Sequence, residues 1–426
     1  MPSMRVVRLA LVGATLGLLG WVAPAPASPR PAASGSAQTT LGKALARQYS
    51  QLGRYSSAYA LDLTTGQTLF ARNPDTPRLP ASVEKLYTTS TALLKFGAGA
   101  RLTTALLGTG SLSANGTWKG TLYLRGGGDP SFGSAAFDHT AYGSGATIER
   151  LVANLQGAAH IRALQGRIIG DSTYLDGWAG TIASGYAFNL DVEGSLSALP
   201  FNRGLFSDGT QVVYPAAYAG RELAVALRAA HVRVPKRTPV SVGRTPAAAR
   251  LLAVVRSPSI AQLLALTNTP SDNFFAEMLT KDLGARFGSA GSTLAGVAVI
   301  RHELATQFGL SPRLDDGSGL SRDDATSPRQ VVSLLRQMAG NPAFTQSLAI
   351  AGETGTLAHE MVGTAAVGRC IGKTGTLTDV ASLVGYCHAS DGHLIAFAVL
   401  ANALGSPDLG HTLEANMAVA LARFNG

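Results

Sequence analysis

The sequence predicts an α+β fold in which both ends of the chain build one domain and the middle forms a β-rich insert. Three observations carry this. Residues 58–72 read as a hairpin, two strand-like runs around a Thr64-Thr65-Gly66 turn, and a helical pattern follows at 80–96. Residues 101–250 change texture, with short strand-like runs at 121–124, 167–169 and 211–214 among many Gly and Ser turns. Helical patterns then return, and two strands and a last helix close the chain. The expected divisions are 39–100 and 251–426 for the two parts of the first domain and 101–250 for the insert.

Pro80 opens the first helix, its fixed φ suiting a helical first turn, and Gly97 stops it. Later helices are expected at 260–266, 274–283, 293–308 and 328–338, and strands at 381–387 and 394–400. In the terminal helix Leu413, Met417, Ala420, Leu421 and Phe424 share a face, at offsets 0, 4, 7, 8 and 11. A length of 426 residues allows roughly three domain-sized units and more than one core. The charged fraction, 14%, lies well below the ~25% usual for soluble proteins, and 46% apolar residues exclude disorder. Arg outnumbers Lys 28 to 7, so a lone Arg says little and a Lys within a motif says more.

Arg5 and Arg8 precede an apolar run at 9–22, whose 14 residues fall short of the ~20 that span a bilayer. Ala23-Pro24-Ala25-Pro26-Ala27-Ser28 then places small residues at signal-peptidase spacing. Residues 1–27 are therefore expected to be a secretory signal peptide, with an uncleaved anchor as the alternative. Residues 28–38, rich in Pro, Ala and Ser, are expected to be a stiff, non-helical lead-in. The expected location is outside the cytoplasm, periplasmic or extracellular and wall-associated. In an oxidising compartment Cys370 and Cys387, on two apolar segments joined by a turn at Thr378-Asp379, are expected to form a disulfide, the alternative being two buried thiols. Two Cys exclude a multi-Cys zinc site.

The net charge of +9 is unevenly placed. Residues 221–256 hold Arg221, Arg228, Arg233, Lys236, Arg237, Arg244, Arg250 and Arg256 against one acid, Glu222. Such a stripe suits peripheral contact with anionic wall polymers, or is simply a solvated surface. It has no interleaved aromatics and no nucleic-acid motif, which argues against nucleic acid as a partner.

Three short motifs carry chemistry. Ser82-Val83-Glu84-Lys85 places a hydroxyl and an amine at i and i+3, on one helix face. A serine nucleophile needs a base within hydrogen-bond reach, and a lysine serves when its amine is neutral. Glu84 is expected to point the other way, to the surface. Ser271-Asp272-Asn273 precedes a helix and alone reads as an N-cap. Lys373-Thr374-Gly375-Thr376 enters a strand whose glycine lets a bound acyl group approach the backbone. Val367 stands where a phosphate loop needs Gly, and no Gly-x-Ser-x-Gly elbow occurs. His359-Glu360 lacks the second His of a zinc helix, because position 363 is Gly363. None of the eight His is assigned a role.

In this order the three motifs resemble the signature of penicillin-binding proteins and serine β-lactamases. From Lys85 to Ser271 is 186 residues, so the chain is most similar to the low-molecular-mass penicillin-binding proteins of the D-alanyl-D-alanine carboxypeptidase/endopeptidase type, which carry large inserts there. Leu122-Tyr123-Leu124-Arg125-Gly126-Gly127-Gly128-Asp129-Pro130 and Asp316-Gly317-Ser318-Gly319-Leu320-Ser321-Arg322 match that family too. The resemblance implies a β-lactamase/transpeptidase-like domain, an antiparallel sheet flanked by helices. It implies Ser82 as nucleophile, Lys85 as its base, Ser271 as proton relay, Asn273 holding the substrate amide and Lys373 supporting Ser271. Thr374, Gly375 and Thr376 would bind substrate, and the Ser82 and Thr376 N–H groups would form the oxyanion hole. The implied partners are peptidoglycan stem peptides, with β-lactams as acylating inhibitors. The resemblance also implies that neither metal nor organic cofactor is needed. The rival activities on the same motifs are a serine β-lactamase and a non-catalytic wall-binding or penicillin-sensing protein.

Overall fold

The computed structural model describes residues 35–426. The expected signal peptide, 1–27, lies outside them, as does most of the lead-in at 28–38. The end of that lead-in is helical rather than extended, because helix α1 (Gly35–Tyr49) begins within it. There follow β1 (Ser56–Asp62), β2 (Thr68–Arg72), a 3₁₀ turn at Ala81–Glu84 and α2 (Lys85–Phe96). The one helix expected from Pro80 is thus a tight turn and then a helix. Ala81 has φ +48°, which no continuous α-helix accommodates.

The insert contains β3 (Thr103–Leu112), β4 (Thr117–Arg125), α3 (Ala135–Ala141), α4 (Ile148–Ala159), β5 (Ala163–Asp171), α5 (Pro215–Ala229), β6 (Val240–Val242) and β7 (Arg250–Arg256). The chain returns through α6 (Ile260–Asn268), α7 (Asn273–Phe287), α8 (Thr293–Glu303), α9 (Pro328–Met338), α10 (Pro342–Thr345), β8 (Ala349–Ile350), β9 (Cys370–Leu377), β10 (Val380–His388), β11 (Leu394–Asn402) and α11 (Pro407–Ala422).

The main sheet has the order β2-β1-β11-β10-β9-β8, antiparallel throughout. β1 pairs with β11 from Ser56↔Ala401 to Asp62↔Ile395, so the two ends of the chain share one sheet. Side chains alternate across β11: Ile395, Phe397 and Val399 enter one apolar core, Ala396, Ala398 and Leu400 the other. α1 and α11 cover the first face with Leu41, Leu45, Leu413, Met417 and Leu421. α2 and α6–α9 cover the second with residues such as Leu86, Leu263, Phe275 and Leu335. A sheet buried on both faces explains why its strands read as nearly continuous apolar runs.

The insert is mixed α/β rather than mainly β. Its sheet runs β6-β5-β4-β3-β7, with β4, β5 and β6 parallel. Parallel neighbours require crossovers, and α3, α4 and α5 supply them. Ile148, Leu151, Val152 and Leu155 form the buried stripe of α4, while α5 buries mainly alanines and two leucines, a weak signal in an Ala-rich chain. The strand expected at 211–214 is absent; Tyr214 caps α5 instead. β7 completes the insert's sheet, so its last strand runs past the expected boundary at 250. Leu175, Val192 and Leu196 leave the insert and join the core of the main domain.

The cations of 221–256 do not form one stripe. Arg233 bridges to Ala163, where β5 starts; Arg244 follows Gly243, which donates to the Gly170 carbonyl near the end of β5; Arg250 and Arg256 lie on β7 at the opposite edge.

Cys370 and Cys387 are directly paired residues of β9 and β10, with Cα atoms 4.1 Å apart, and are joined by a disulfide. Replacing both by Ser is expected to cost about 3 kcal/mol, the loop-closure entropy of a 17-residue separation. Equilibrium urea unfolding of the double variant against the oxidised protein measures it; an unchanged midpoint with unchanged slope would refute it.

Candidate active site

The three sequence motifs meet in one cleft between α2, the α6–α7 junction and β9. Ser82 sits in the 3₁₀ turn ahead of α2, and Lys85 begins that helix. The turn is wedged between two glycines. A Cβ on Gly319 would lie 1.9 Å from the Ala81 carbonyl oxygen, and one on Gly375 would lie 2.5 Å from that of Pro80. Only glycine permits both approaches, and Gly319 also has φ +83°.

Lys85 is fully buried. Its Nζ lies 2.8 Å from Ser82 Oγ, 2.5 Å from Asn273 Oδ1 and 2.7 Å from the Ser318 carbonyl. A neutral amine keeps two N–H bonds for Asn273 and Ser318 and turns its lone pair to the Ser82 hydroxyl. Burial lowers the Lys85 pKa to about 8, working against nearby Glu84, Asp316, Glu277 and Asp272.

Those acids correct one expectation. Glu84 is not at the surface but fully buried. The face of the first turn opposite Lys85 is covered by the 316–324 loop, which the sequence pattern of the helix does not reveal. Glu84 accepts from Thr88 Oγ1 at 3.2 Å, and Thr88 also donates to the Gly317 carbonyl at 2.9 Å. Glu277 accepts from Gly317 N–H at 3.0 Å. Asp316 accepts from the N–H groups of Ser318, Gly319 and Ser321 at 3.1, 2.7 and 2.7 Å, which sets the turn that aims the Ser318 carbonyl at Lys85. Burial pushes all three carboxyl groups up, and repulsion from neighbouring acids adds to it at Glu84 and Glu277: Glu84 and Asp316 are raised, and Glu277 is raised to about 8.

Ser271 closes the other side. It stands between α6 and α7 with φ +68°. The residue that caps α7 is Asp272, which accepts from Phe275 N–H at 2.8 Å. Arg203 of the insert grips the same carboxylate with both Nη atoms, at 2.7 and 3.0 Å. Lys373, buried in β9, donates to Ser271 Oγ and to the Thr374 carbonyl, both at 2.7 Å. Burial, then the Lys85 charge, push its pKa well below the usual lysine value.

β8 pairs with β9 only at Ile371 and Gly372, which leaves the edge of β9 from Lys373 onward without a strand neighbour on that side. Thr374 Oγ1 donates to Thr356 Oγ1 at 2.8 Å, Gly375 is buried, and Thr376 is exposed with its hydroxyl 2.8 Å from His411 Nε2. Both ends of the Asn273 amide are engaged, Oδ1 by Lys85 and Nδ2 by the Asp191 carbonyl at 2.7 Å. Each end keeps capacity for a substrate amide, since Nδ2 has a second N–H and Oδ1 a second lone pair. Lys281 ties the loop that carries Asp191 to α7 through Asp176 and the Trp178 carbonyl.

Sequence motifs missed four contributors, the Asp191 carbonyl, Thr356, Arg203 and His411, and gave Ser318, within the 316–322 stretch, no role for its carbonyl. The carbonyls leave no signature, since every residue has one. Arg203 is lost among 28 arginines, and His411 lies on α11, beyond every motif.

The chain is similar to known proteins. A D-alanyl-D-alanine carboxypeptidase of an Actinomadura species is 29% identical, over 88% of this chain and 82% of its own length. Carboxypeptidase DacB of Mycolicibacterium smegmatis is 30% identical, over 81% of this chain and 75% of its own. Among solved structures, penicillin binding protein 4 (dacB) of Haemophilus influenzae shares the fold with a TM-score of 0.71 at 20% identity, covering 88% of this chain and 98% of that one. Residues 38–186 and 186–424 match the Peptidase_S13 profile, and the chain therefore belongs to the D-Ala-D-Ala carboxypeptidase 3 (S13) family of serine peptidases.

Proposed function

We propose that this protein is an exported D-alanyl-D-alanine carboxypeptidase that trims peptidoglycan stem peptides through an acyl-enzyme on Ser82, and that β-lactams acylate the same oxygen. One observation carries the proposal: the Ser82–Lys85 pair at 2.8 Å and the Ser271–Lys373 pair at 2.7 Å are joined through Asn273, which accepts from Lys85, and the two amines are near enough for the charge of one to lower the pKa of the other. Ser82 Oγ attacks the carbonyl carbon of the terminal D-Ala–D-Ala bond as its proton passes to the neutral Lys85 amine. The C–N bond breaks as a proton relayed through Ser271 reaches the departing amine. D-Ala leaves, and an ester remains on Ser82. Water then attacks the ester, Lys85 takes the water's proton, and Ser82 recovers its hydrogen as the shortened peptide departs. The N–H groups of Ser82 and Thr376 stabilise the oxyanion, a contribution of a few kcal/mol. Thr374 and Thr376 offer hydroxyls to the substrate carboxylate at the edge of β9. The disulfide supports export, since it persists only in an oxidising compartment. When the departing amine belongs to a neighbouring strand, the same chemistry is a DD-endopeptidase.

Fluorescent penicillin is expected to label the wild type and not Ser82→Ala. Mass analysis of isolated muropeptides treated with the wild type is expected to show loss of terminal D-Ala; loss of cross-links alone would reassign the enzyme as an endopeptidase. Equal labelling of Ser82→Ala, or no label on the wild type, would overturn the nucleophile.

The active form of Lys85 is the neutral amine, which accumulates as pH rises through about 8. The acylation rate constant is therefore expected to climb between about pH 7 and 9, centred on the Lys85 pKa, and then level off. Lys85→Met is expected to lose roughly 10²–10⁴-fold and the pH dependence with it, as removal of a general base does. A rate that falls across that range would assign activity to the ammonium.

A further inference from the structure

A second cleft, of about 1090 Å³, lies between the insert and the main domain, at the far end of α2 from Lys85. The twelve residues of α2 separate the two by about 16 Å. Its floor is the carboxyl end of the three parallel strands: Arg125 ends β4, Asp171 ends β5, and Arg244 follows β6. The carboxyl ends of parallel strands are where open α/β sheets place ligands, because the crossovers leave a crevice there. The far wall is the last turns of α2 and α7, carrying Lys95 and Arg286.

The charge of this cleft is one-sided. Lys95, Arg101, Arg125, Arg244 and Arg286 line it against the single acid Asp171, whereas the whole chain has 35 cations to 26 acids. Asp171 does not offset them freely. One of its oxygens accepts from Thr173 N–H and Oγ1 at 3.0 and 2.7 Å, and the other from Thr245 N–H at 2.7 Å. Lys95 has a distant partner in Glu303 at 3.6 Å, and Arg101 donates to the Ser257 carbonyl. Arg125, Arg244 and Arg286 form no ion pair with a carboxylate among the described residues. They come from strands and a helix far apart in sequence, so local composition does not account for their convergence.

We propose that this cleft is a binding site for oxyanions, phosphate or carboxylate, carried at intervals on a polymer. Guanidinium forks match both groups, and several cations along one crevice suit a repeating anion better than a single ion. Arg244 is the one cation of the basic 221–256 segment that takes part. The site is separate from the Ser82 cleft, and its test does not depend on the peptidase activity.

Calorimetric titration of the full chain with inorganic tripolyphosphate and with hexaglutamate tests it. The wild type is expected to bind at least one, and the Arg125→Ala, Arg244→Ala, Arg286→Ala triple variant to bind it roughly tenfold to a hundredfold more weakly, the loss of charge-assisted hydrogen bonds. Binding of tripolyphosphate alone assigns a phosphate source, and of hexaglutamate alone a carboxylate source. A charge-matched triple, Arg233→Ala, Lys236→Ala, Arg237→Ala, at the other end of the sheet, is expected to keep wild-type affinity, and penicillin labelling to stay intact in all three proteins. No binding of either probe, or equal weakening in both triples, would overturn the site.

Discussion

One buried amine organises the cleft. Lys85 is out of contact with water, so its N–H bonds and its lone pair must find partners inside the protein. Those partners come from three segments: the Ser82 hydroxyl from its own turn, Asn273 from α7, and the Ser318 carbonyl from the loop behind. The requirement to satisfy one side chain thus fixes the relative positions of elements separated by 188 and 233 residues. The carboxyl groups beneath oppose the effect of burial. Without them desolvation would leave the amine a still weaker base. The balance places it near neutrality, where it both takes and returns a proton.

Strain sits beside both serines. Ala81 precedes Ser82 with φ +48°, and Ser271 itself has φ +68°. A non-glycine residue in this region costs of order 1–3 kcal/mol and persists only where its surroundings over-determine it. Here the surroundings are visible. Gly319 and Gly375 clamp the turn before Ser82, while the Asp272 cap and the Arg203 fork hold the chain after Ser271. Both hydroxyls are therefore presented to lysines by backbone that is costly to hold and hard to move, which suits atoms that must stay in line for attack and proton relay.

How much of this was legible in the sequence follows from what carries each feature. Ser82, Lys85, Ser271, Asn273 and Lys373 are proposed to act through side-chain chemistry, so residue type and spacing expose them as candidates, and the structure brings them together. Cys370 and Cys387 were legible because a short turn between two apolar runs implies a register. Glu84 was misplaced because helical periodicity describes one element, whereas its burial depends on a loop 232 residues away at Asp316. Among the insert's helices α4 does carry a legible stripe, Ile148, Leu151, Val152 and Leu155, whereas α5 was hidden for a different reason. α5 buries alanines, which carry little periodic contrast in a chain rich in alanine. Backbone carbonyls such as those of Ser318 and Asp191 are invisible in any sequence pattern.

The insert is more than a spacer between motifs. Its core is closed on its own face by Trp118, Leu151 and Leu223, yet it reaches the active site through three polar ties. Arg203 grips the residue that caps α7, the Asp191 carbonyl engages Asn273, and Lys281 anchors the intervening loop through Asp176. Lys281 is itself nearly inaccessible, so removing its partner would strand a charge, and the tie resists opening. Arg203 lies between Asp272 and the rings of Phe274 and Phe275, which joins an ion pair to cation–π contact at the same junction. A displacement of the insert would therefore be felt first at Asp272 and Asn273, the start of the helix that positions the relay, rather than at Ser82 and Lys85. Ser82 and Lys85 belong to the main domain alone, whereas Asp272 and Asn273 are held in part by the insert.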